Sequence, residues 1–141
     1  HTAPADSEAL GRRWFRFENP NWKHTETASG VYDFTALRRA AERWRHFHVR
    51  LNSLQALYHH PAFYDPTDLP GFSRGYGRYL QAMAAAMAGT VDEHELGNED
   101  NGANKNLYTE VGRHGSAGIR SRQPFAVTGN SGTAHIDYGW L

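Results

Sequence analysis

Apolar side chains recur at intervals of three and four residues in the first half of the chain. They are Phe34, Leu37, Ala41, Trp44, Phe47, Leu51, Leu54 and Tyr58. Residues with this spacing share one face of an α-helix. Asp33 or Thr35 is a suitable N-cap, and Pro61 ends such a helix just after the histidine pair at 59 and 60. The pattern therefore predicts one helix of about 25 residues, roughly 37 Å long.

A second, alanine-rich helix is predicted from about Ser73 to Ala88. Only a short helix or turn near residues 107–111 is predicted after it. Residues 123–128 and 134–140 have the pattern of two strands, and residues 129–132 are typical of the turn between them. We therefore expect an α+β fold, in which the long central helix packs against the alanine-rich helix and a small C-terminal β-hairpin or sheet.

The composition is that of one globular domain. With 141 residues, 39% of them hydrophobic, the chain is long enough to bury a core, and we predict a single domain over residues 1–141. No apolar run approaches the roughly 18 residues that a membrane span requires. The 15 basic and 15 acidic side chains balance, so we expect no binding of nucleic acid through bulk charge.

Cysteine is absent from the chain, which excludes disulfides, thiolate metal sites and cysteine nucleophiles. The sequence starts at His1, with no charged leader and no apolar segment behind it. We expect a soluble chain, whose compartment the sequence leaves open between the cytosol and, after processing, a secreted or periplasmic location. The sequence also leaves open whether His1 is native.

Histidine is unusually frequent, with nine among 141 residues. His59 and His60 precede the break at Pro61, where side chains of a loop can reach a cleft. A helix C-terminus also favours a cationic imidazole for purely structural reasons, so both explanations stay open. We take His59, His60 and His114 as candidate general acids or bases.

Oxygen ligands are concentrated in the acidic segment that spans residues 92–106. The segment does not fit an EF-hand, because a glycine occupies the first ligand position. A catalytic divalent metal needs only a few protein ligands plus water. The candidate ligands are His94, Glu95, Glu99 and Asp100. A solvated acidic loop explains the same residues without a metal.

These residues predict a small hydrolase that uses a divalent metal, with zinc, manganese or iron as the options. A water activated by the metal would attack an ester, amide or phosphodiester of a small-molecule or polymer substrate, and a histidine would transfer the proton. The hypothesis requires the histidines near residues 59–60, 94 and 114 to converge in one cleft.

The alternative is a binding or assembly domain without catalytic activity. Its partner would be a protein or an anionic ligand, bound by arginines and by a contiguous patch of exposed aromatic rings. The candidate rings are Trp14, Phe15, Phe17, Trp22, Phe63, Tyr64, Phe72, Tyr76 and Tyr79. The same rings are also suited to filling a small core.

Overall fold

The computed structural model describes Ala9, Gly11 and residues 14–17, 21–46, 50–98 and 105–130. Its helices are α1 (Trp22–Thr25), α2 (Thr35–Arg45), α3 (Leu69–Ala86) and α4 (Lys105–Arg120). Its strands are β1 (Trp14–Phe17), β2 (Glu26–Ala28), β3 (Val31–Tyr32), β4 (Arg50–Gln55), β5 (Glu93–Leu96) and β6 (Val127–Asn130). One turn of 3-10 helix, Leu57–His59, follows β4.

Four of the strands form a parallel sheet in the order β1-β4-β5-β6. Parallel neighbours need a long crossover, and α2, α3 and α4 each lie in the chain between two successive strands of this sheet. Asn52 of β4 lies opposite Arg16 of β1 and Glu93 of β5, and Leu54 lies opposite Glu95. The short strands β2 and β3 pair separately as an antiparallel hairpin.

The segment predicted as one long helix divides into α2 and β4, so that prediction is wrong beyond Arg45. Residues 51–57 are all buried, and a strand that is covered on both faces does not show alternating polarity. Leu51 and Leu54 therefore match a helical spacing by coincidence. Asn52 and Ser53 between them disfavour a helix, because their side chains compete for backbone hydrogen bonds.

The alanine-rich helix is confirmed as α3, although it begins before the predicted position. Asp68 caps its N-terminus by accepting a hydrogen bond of 3.1 Å from the backbone N–H of Gly71. The buried face of α3 carries Tyr76 and Tyr79, whose rings pack against Trp22 of α1. This aromatic cluster forms the centre of the core between the helices and the sheet.

Helix α4 extends well beyond the short turn predicted near residues 107–111, because its glycines allow it to pack closely against α3. A Cβ atom at Gly118 would overlap the carbonyl oxygen of Gly77, and one at Gly115 would lie 2.8 Å from Leu80 Cδ1. The same glycines lower the helix propensity of the isolated segment. Tertiary packing therefore overrides the local preference.

The predicted C-terminal hairpin is replaced, in its described part, by β6, which runs parallel to β5. Gly129 and Asn130 were expected in a turn but pair with Glu95 and Leu96. The second predicted strand, residues 134–140, lies outside the described residues. The presence of both helices and strands is confirmed, whereas their predicted arrangement is not. Among the helices of the described ranges, none has the length and apolar character needed to cross a membrane.

Candidate functional site

The two faces of the parallel sheet have different surroundings. Side chains alternate between the faces of a strand, so Gln55 and His94 point to one face and Asn52 and Glu95 to the other. The first face meets the helices, since Tyr79 of α3 donates a hydrogen bond of 2.7 Å to Gln55 Oε1. The second face carries the polar and charged side chains of Arg16, Asn52 and Glu95.

Arg16, Asn52 and Glu95 form a polar group on this second face, which we call the sheet-face cluster. Arg16 Nη1 lies 3.1 Å and 3.2 Å from the two carboxylate oxygens of Glu95, and Asn52 Nδ2 lies 3.4 Å from Oε2. The ion pair joins β1 to β5 across the intervening strand β4. Glu95 is 13% exposed and Arg16 46% exposed, so the pair is open to solvent on the arginine side.

Asn52 has an unused acceptor beside this ion pair. Its side chain is only 8% exposed, and its Oδ1 atom has no hydrogen-bond partner among the described residues. A buried polar atom without a partner costs free energy, about 1–3 kcal/mol in proteins. The cluster therefore offers a carboxylate and a free carbonyl oxygen side by side, which suits a ligand rich in hydroxyl groups.

The carboxyl ends of β4 and β5 lie next to this cluster, since Glu95 is the penultimate residue of β5. The backbone N–H of Gly97 donates a hydrogen bond of 2.9 Å to the carbonyl of Gln55 and ties the two ends together. Asn98 Nδ2 then donates to the hydroxyl of Tyr58 at 3.3 Å. In sheets of parallel strands joined by helices, ligands bind at this edge. We call Tyr58, His59 and Asn98 the carboxyl-edge residues.

His59 and His60 follow β4 at this edge but have different surroundings. The ring of His59 packs edge-on against Tyr58, with centroids 4.3 Å apart, and its Nδ1 atom is buried with no described partner. His60 Nδ1 lies 3.0 Å from the carbonyl oxygen of Pro61, and the ring packs against Phe72. His59 thus retains a free ring nitrogen at the edge, whereas one nitrogen of His60 is engaged. Their catalytic roles stay predictions.

His94 lies inside the protein rather than at an open metal site. Its Nδ1 lies 2.8 Å from Ser53 Oγ, and its Nε2 lies 2.9 Å from Gln123 Oε1. Because Gln123 Oε1 can only accept, Nε2 carries the proton and Nδ1 accepts from Ser53. Burial holds the pKa of His94 below its ordinary value, which keeps the ring neutral. Both ring nitrogens are therefore occupied by protein partners.

The proposed metal ligands are not brought together in the part of the chain that is described. His94 and Glu95 point to opposite faces of the sheet, as adjacent residues of a strand must. Glu99 and Asp100 lie outside the described residues. Within the described ranges, no group of three or more His, Asp or Glu side chains is placed to hold a metal ion. The divalent-metal site stays a prediction.

His114 lies on α4, away from the histidine pair in the chain and in its contacts. Its Nε2 is 3.8 Å from Glu110 Oε2 and 3.1 Å from Arg113 Nη2. Arg113 in turn forms an ion pair of 2.6 Å with Glu110. No hydrogen bond or ring contact recorded between described residues joins His114 to His59 or His60. The convergence of three histidine regions that the metal hypothesis requires is not seen in these contacts.

The aromatic rings considered for a partner surface are mostly core residues. Trp22, Phe72, Tyr76 and Tyr79 are almost completely buried, whereas Phe63 is 49% exposed. Burial explains their presence in the sequence without a partner. A protein partner therefore stays a prediction, and these four rings do not form its surface.

Arg16 and Asn52 are not recognisable as site residues from the sequence pattern alone, whereas Tyr58 and Asn98 lie beside the candidate histidines and within the oxygen-rich segment, respectively. The signal that identifies β5 is the alternation in Glu93-His94-Glu95-Leu96, where the burial alternates between intermediate and buried. Polar residues directly after a strand of this kind are candidates for a site at the carboxyl edge. Because residues 50–55 were predicted as helix, β4 was not recognised. The positions of Asn52 in this strand and of Tyr58 after its carboxyl end were therefore not recognised either.

Comparisons with known proteins give a likeness of fold alone. No family model and no curated protein matches the sequence. Among solved structures, a family 39 glycoside hydrolase from the gut symbiont Bacteroides cellulosilyticus WH2 superposes with a TM-score of 0.73 and 18% identity, over 92% of this chain and 29% of that one. A glucosidase from Croceicoccus marinus gives 0.66 and 14%, over 92% of this chain and 33% of that one. The chain thus spans about a third of the length of these two enzymes.

Proposed function

We propose that this chain acts in a hydrolase that cleaves glycosidic bonds, and that the carboxyl edge of its parallel sheet contributes to the sugar-binding cleft. One observation carries the proposal. The sheet-face cluster presents a carboxylate and the unpartnered Oδ1 of Asn52 next to this edge, where Asn98 and Tyr58 follow. The likeness of fold to two glycoside hydrolases, over 92% of this chain, supports the same conclusion.

The sheet-face cluster is suited to holding a sugar by its hydroxyl groups. A hydroxyl can donate to Asn52 Oδ1 and satisfy an atom that otherwise has no described partner. Glu95 is already fixed in position by Arg16, so it can accept from a second hydroxyl with little loss of side-chain entropy. At the edge, Tyr58 is 57% exposed and offers the face of its ring to the apolar side of a sugar.

The chemistry requires a pair of carboxyl groups on the two sides of the scissile bond. One protonates the leaving oxygen, and the other attacks the sugar or activates a water molecule. We assign Glu99 to one of these roles, because it directly follows Asn98 in the sequence beyond the end of β5. Glu95 is assigned to binding, since its two oxygens already accept hydrogen bonds from Arg16. His59 follows β4 at the same edge and is partly exposed, so it is assigned to a hydrogen bond with the substrate.

A divalent metal remains a separate hypothesis within the hydrolase proposal. Its remaining candidate ligands are Glu99 and Asp100. His94 uses both ring nitrogens within the protein, and Glu95 is assigned to sugar binding. A bound zinc, manganese or iron ion would lower the pKa of a water ligand and supply the nucleophile. The cleavage of a glycosidic bond by two carboxyl groups does not depend on this ion.

The experiment is a hydrolysis assay with the protein in its full native length. A panel of disaccharides and oligosaccharides is incubated with the wild type, with Glu99→Gln and with Glu110→Gln, and the reducing sugar released is measured. Loss of a proton-transferring carboxyl group lowers the rate about 10²- to 10⁴-fold. Glu110 is a partly exposed residue of α4 that is not among the carboxyl-edge residues, so its variant controls for the loss of one carboxylate.

We expect Glu99→Gln to lose hydrolysis and Glu110→Gln to retain it. The proposal is overturned if Glu99→Gln hydrolyses the sugars as fast as the wild type. It is also overturned if no member of the panel is hydrolysed by the wild type.

A further inference from the structure

A groove rich in arginine runs along α3, and none of the carboxyl-edge residues lines it. It consists of a pocket of about 370 Å³ between α3 and α4 and a pocket of about 270 Å³ between α3 and the β2–β3 hairpin. The two pockets share Arg78 and Gln81. We call this surface the arginine groove. Its polar lining residues are Arg74, Arg78, Gln81, His114, Ser121 and Arg122.

The floor of the arginine groove is made of small residues. Gly77 and Gly118 lie where α3 and α4 touch, and Ala82 and Ala85 continue the floor toward the hairpin. Alanine and glycine leave the floor flat, so the long arginine side chains rise above it at the rims. The space between them is open to a chain-like ligand rather than closed around a small molecule.

The described lining of the groove contains arginines but no carboxylate. Neither pocket is lined by an Asp or Glu among the described residues, and no ion pair with a described carboxylate holds Arg74, Arg78 or Arg122. Glu110, which lies 3.8 Å from His114 of the lining, pairs with Arg113. Glu26, the first residue of β2, is buried and accepts a hydrogen bond from Tyr64, and Arg78 contacts Tyr64 while its side chain stays exposed.

We propose that the arginine groove binds the carboxylate or sulfate groups of an acidic polysaccharide. A guanidinium group can bind such an anion through two parallel hydrogen bonds, whereas the ammonium group of lysine does not have this geometry. The inference rests on the proposed function, because a glycosidic substrate is what brings a polysaccharide to this protein. The groove and the carboxyl edge have no lining residue in common, so the groove is a second binding site for the same polymer.

The lining favours a glycan over a nucleic acid. Single-stranded nucleic acid is held by a basic groove combined with aromatic rings on which the bases stack. Among the described residues, the rings that line these two pockets are those of Tyr32 and His114, one in each pocket, so the groove has no row of rings along its length.

The test compares the binding of four polymers: polygalacturonate, dextran sulfate, neutral dextran and poly-uridylate. Affinities are measured for the wild type, for the double variant Arg78→Gln/Arg122→Gln, and for Arg43→Gln, which removes one exposed arginine of α2 outside the groove. An exposed ion pair contributes up to about 1 kcal/mol, so loss of two should weaken binding about tenfold. Added salt should weaken binding by the wild type, because it screens exposed charges.

We expect the wild type to bind polygalacturonate or dextran sulfate but not neutral dextran, and the double variant alone to bind the acidic polymer about tenfold more weakly. The proposal is overturned if Arg43→Gln weakens binding as much as the double variant, or if the wild type prefers poly-uridylate at equal salt. Hydrolysis of a neutral disaccharide by the double variant is measured in parallel. If the double variant binds the acidic polymer more weakly but hydrolyses the disaccharide normally, the arginine groove is a binding site separate from the cleft. If neither the wild type nor any variant hydrolyses the disaccharide, the proposed function is wrong, and the binding result is judged separately.

Discussion

The close contact between α3 and α4 predicts opposite effects for the same substitution at two glycines of α4. Gly118→Ala places a Cβ atom against the backbone carbonyl of Gly77, whereas a Cβ atom at Gly112 meets nothing within 4 Å. Both positions are helical, so both variants gain the helix propensity of alanine, about 0.8–1 kcal/mol. Only Gly118→Ala must also separate two backbones that cannot rotate out of the way.

The size of the difference follows from these two terms. Overpacking of a tight interior costs about 1–3 kcal/mol, which exceeds the propensity gain at Gly118 but has no counterpart at Gly112. We expect Gly118→Ala to lower the free energy of unfolding by about 1–2 kcal/mol and Gly112→Ala to raise it by about 0.5–1 kcal/mol. At about 3 °C per kcal/mol, the two melting temperatures should differ by about 5–9 °C.

The assay is thermal and urea unfolding of the wild type and both variants, followed by circular dichroism. Urea slopes that agree among the three proteins would show that the difference lies in stability rather than in the cooperativity of unfolding. Equal stability of Gly118→Ala and Gly112→Ala would refute the packing of α4 on α3 described above.

Two further predictions concern the buried His94 of the structure and the metal site expected from the sequence. Burial lowers the pKa of His94 in the folded protein, so the imidazole binds a proton more tightly in the unfolded chain. The contribution of neutral His94 to the free energy of unfolding is therefore complete above about pH 6.5 and is lost as the pH falls below that value. Urea unfolding at pH 7 and pH 5.5 should therefore show a larger loss in the wild type than in His94→Gln, and an equal loss would contradict a buried, neutral His94. The metal hypothesis predicts one zinc, manganese or iron per chain by elemental analysis and a lower melting temperature after chelation. A metal-free protein whose melting temperature does not respond to chelator or added metal would refute that hypothesis.

The helices were predictable wherever the local pattern and the tertiary structure agree. Helix α3 has a strong N-cap, an alanine-rich sequence and one apolar face, and all three signals act within the segment itself. Helix α4 and strand β4 depend on contacts from elsewhere. The glycines of α4 are favourable only because α3 lies against them, and β4 is recognisable only once both of its faces are known to be buried.

The candidate site was predictable in its chemistry more than in its geometry. Sequence reasoning selected Glu95 and His59, which do lie near the carboxyl edge, but it placed His94 beside Glu95 in a metal site. Alternation along β5 sends these two side chains to opposite faces, and that alternation is visible only if residues 93–96 are known to be a strand. Arg16 joins Glu95 across 79 positions of sequence, a pairing that only the order of the strands reveals.

The most direct test of the sugar-binding cleft is an NMR titration of the isotope-labelled Glu99→Gln variant, which leaves the sugar intact, with the disaccharide that the wild type hydrolyses fastest. The amide signals of Asn52 and Asn98, together with the backbone signals of residues 95–98, are followed as sugar is added. If the carboxyl edge binds the sugar, these signals shift together and saturate with one dissociation constant, and Asn52→Ala weakens that constant. Shifts confined to α4 and the outer face of α3, with the Asn52 and Asn98 signals unchanged, would contradict a cleft at the carboxyl edge.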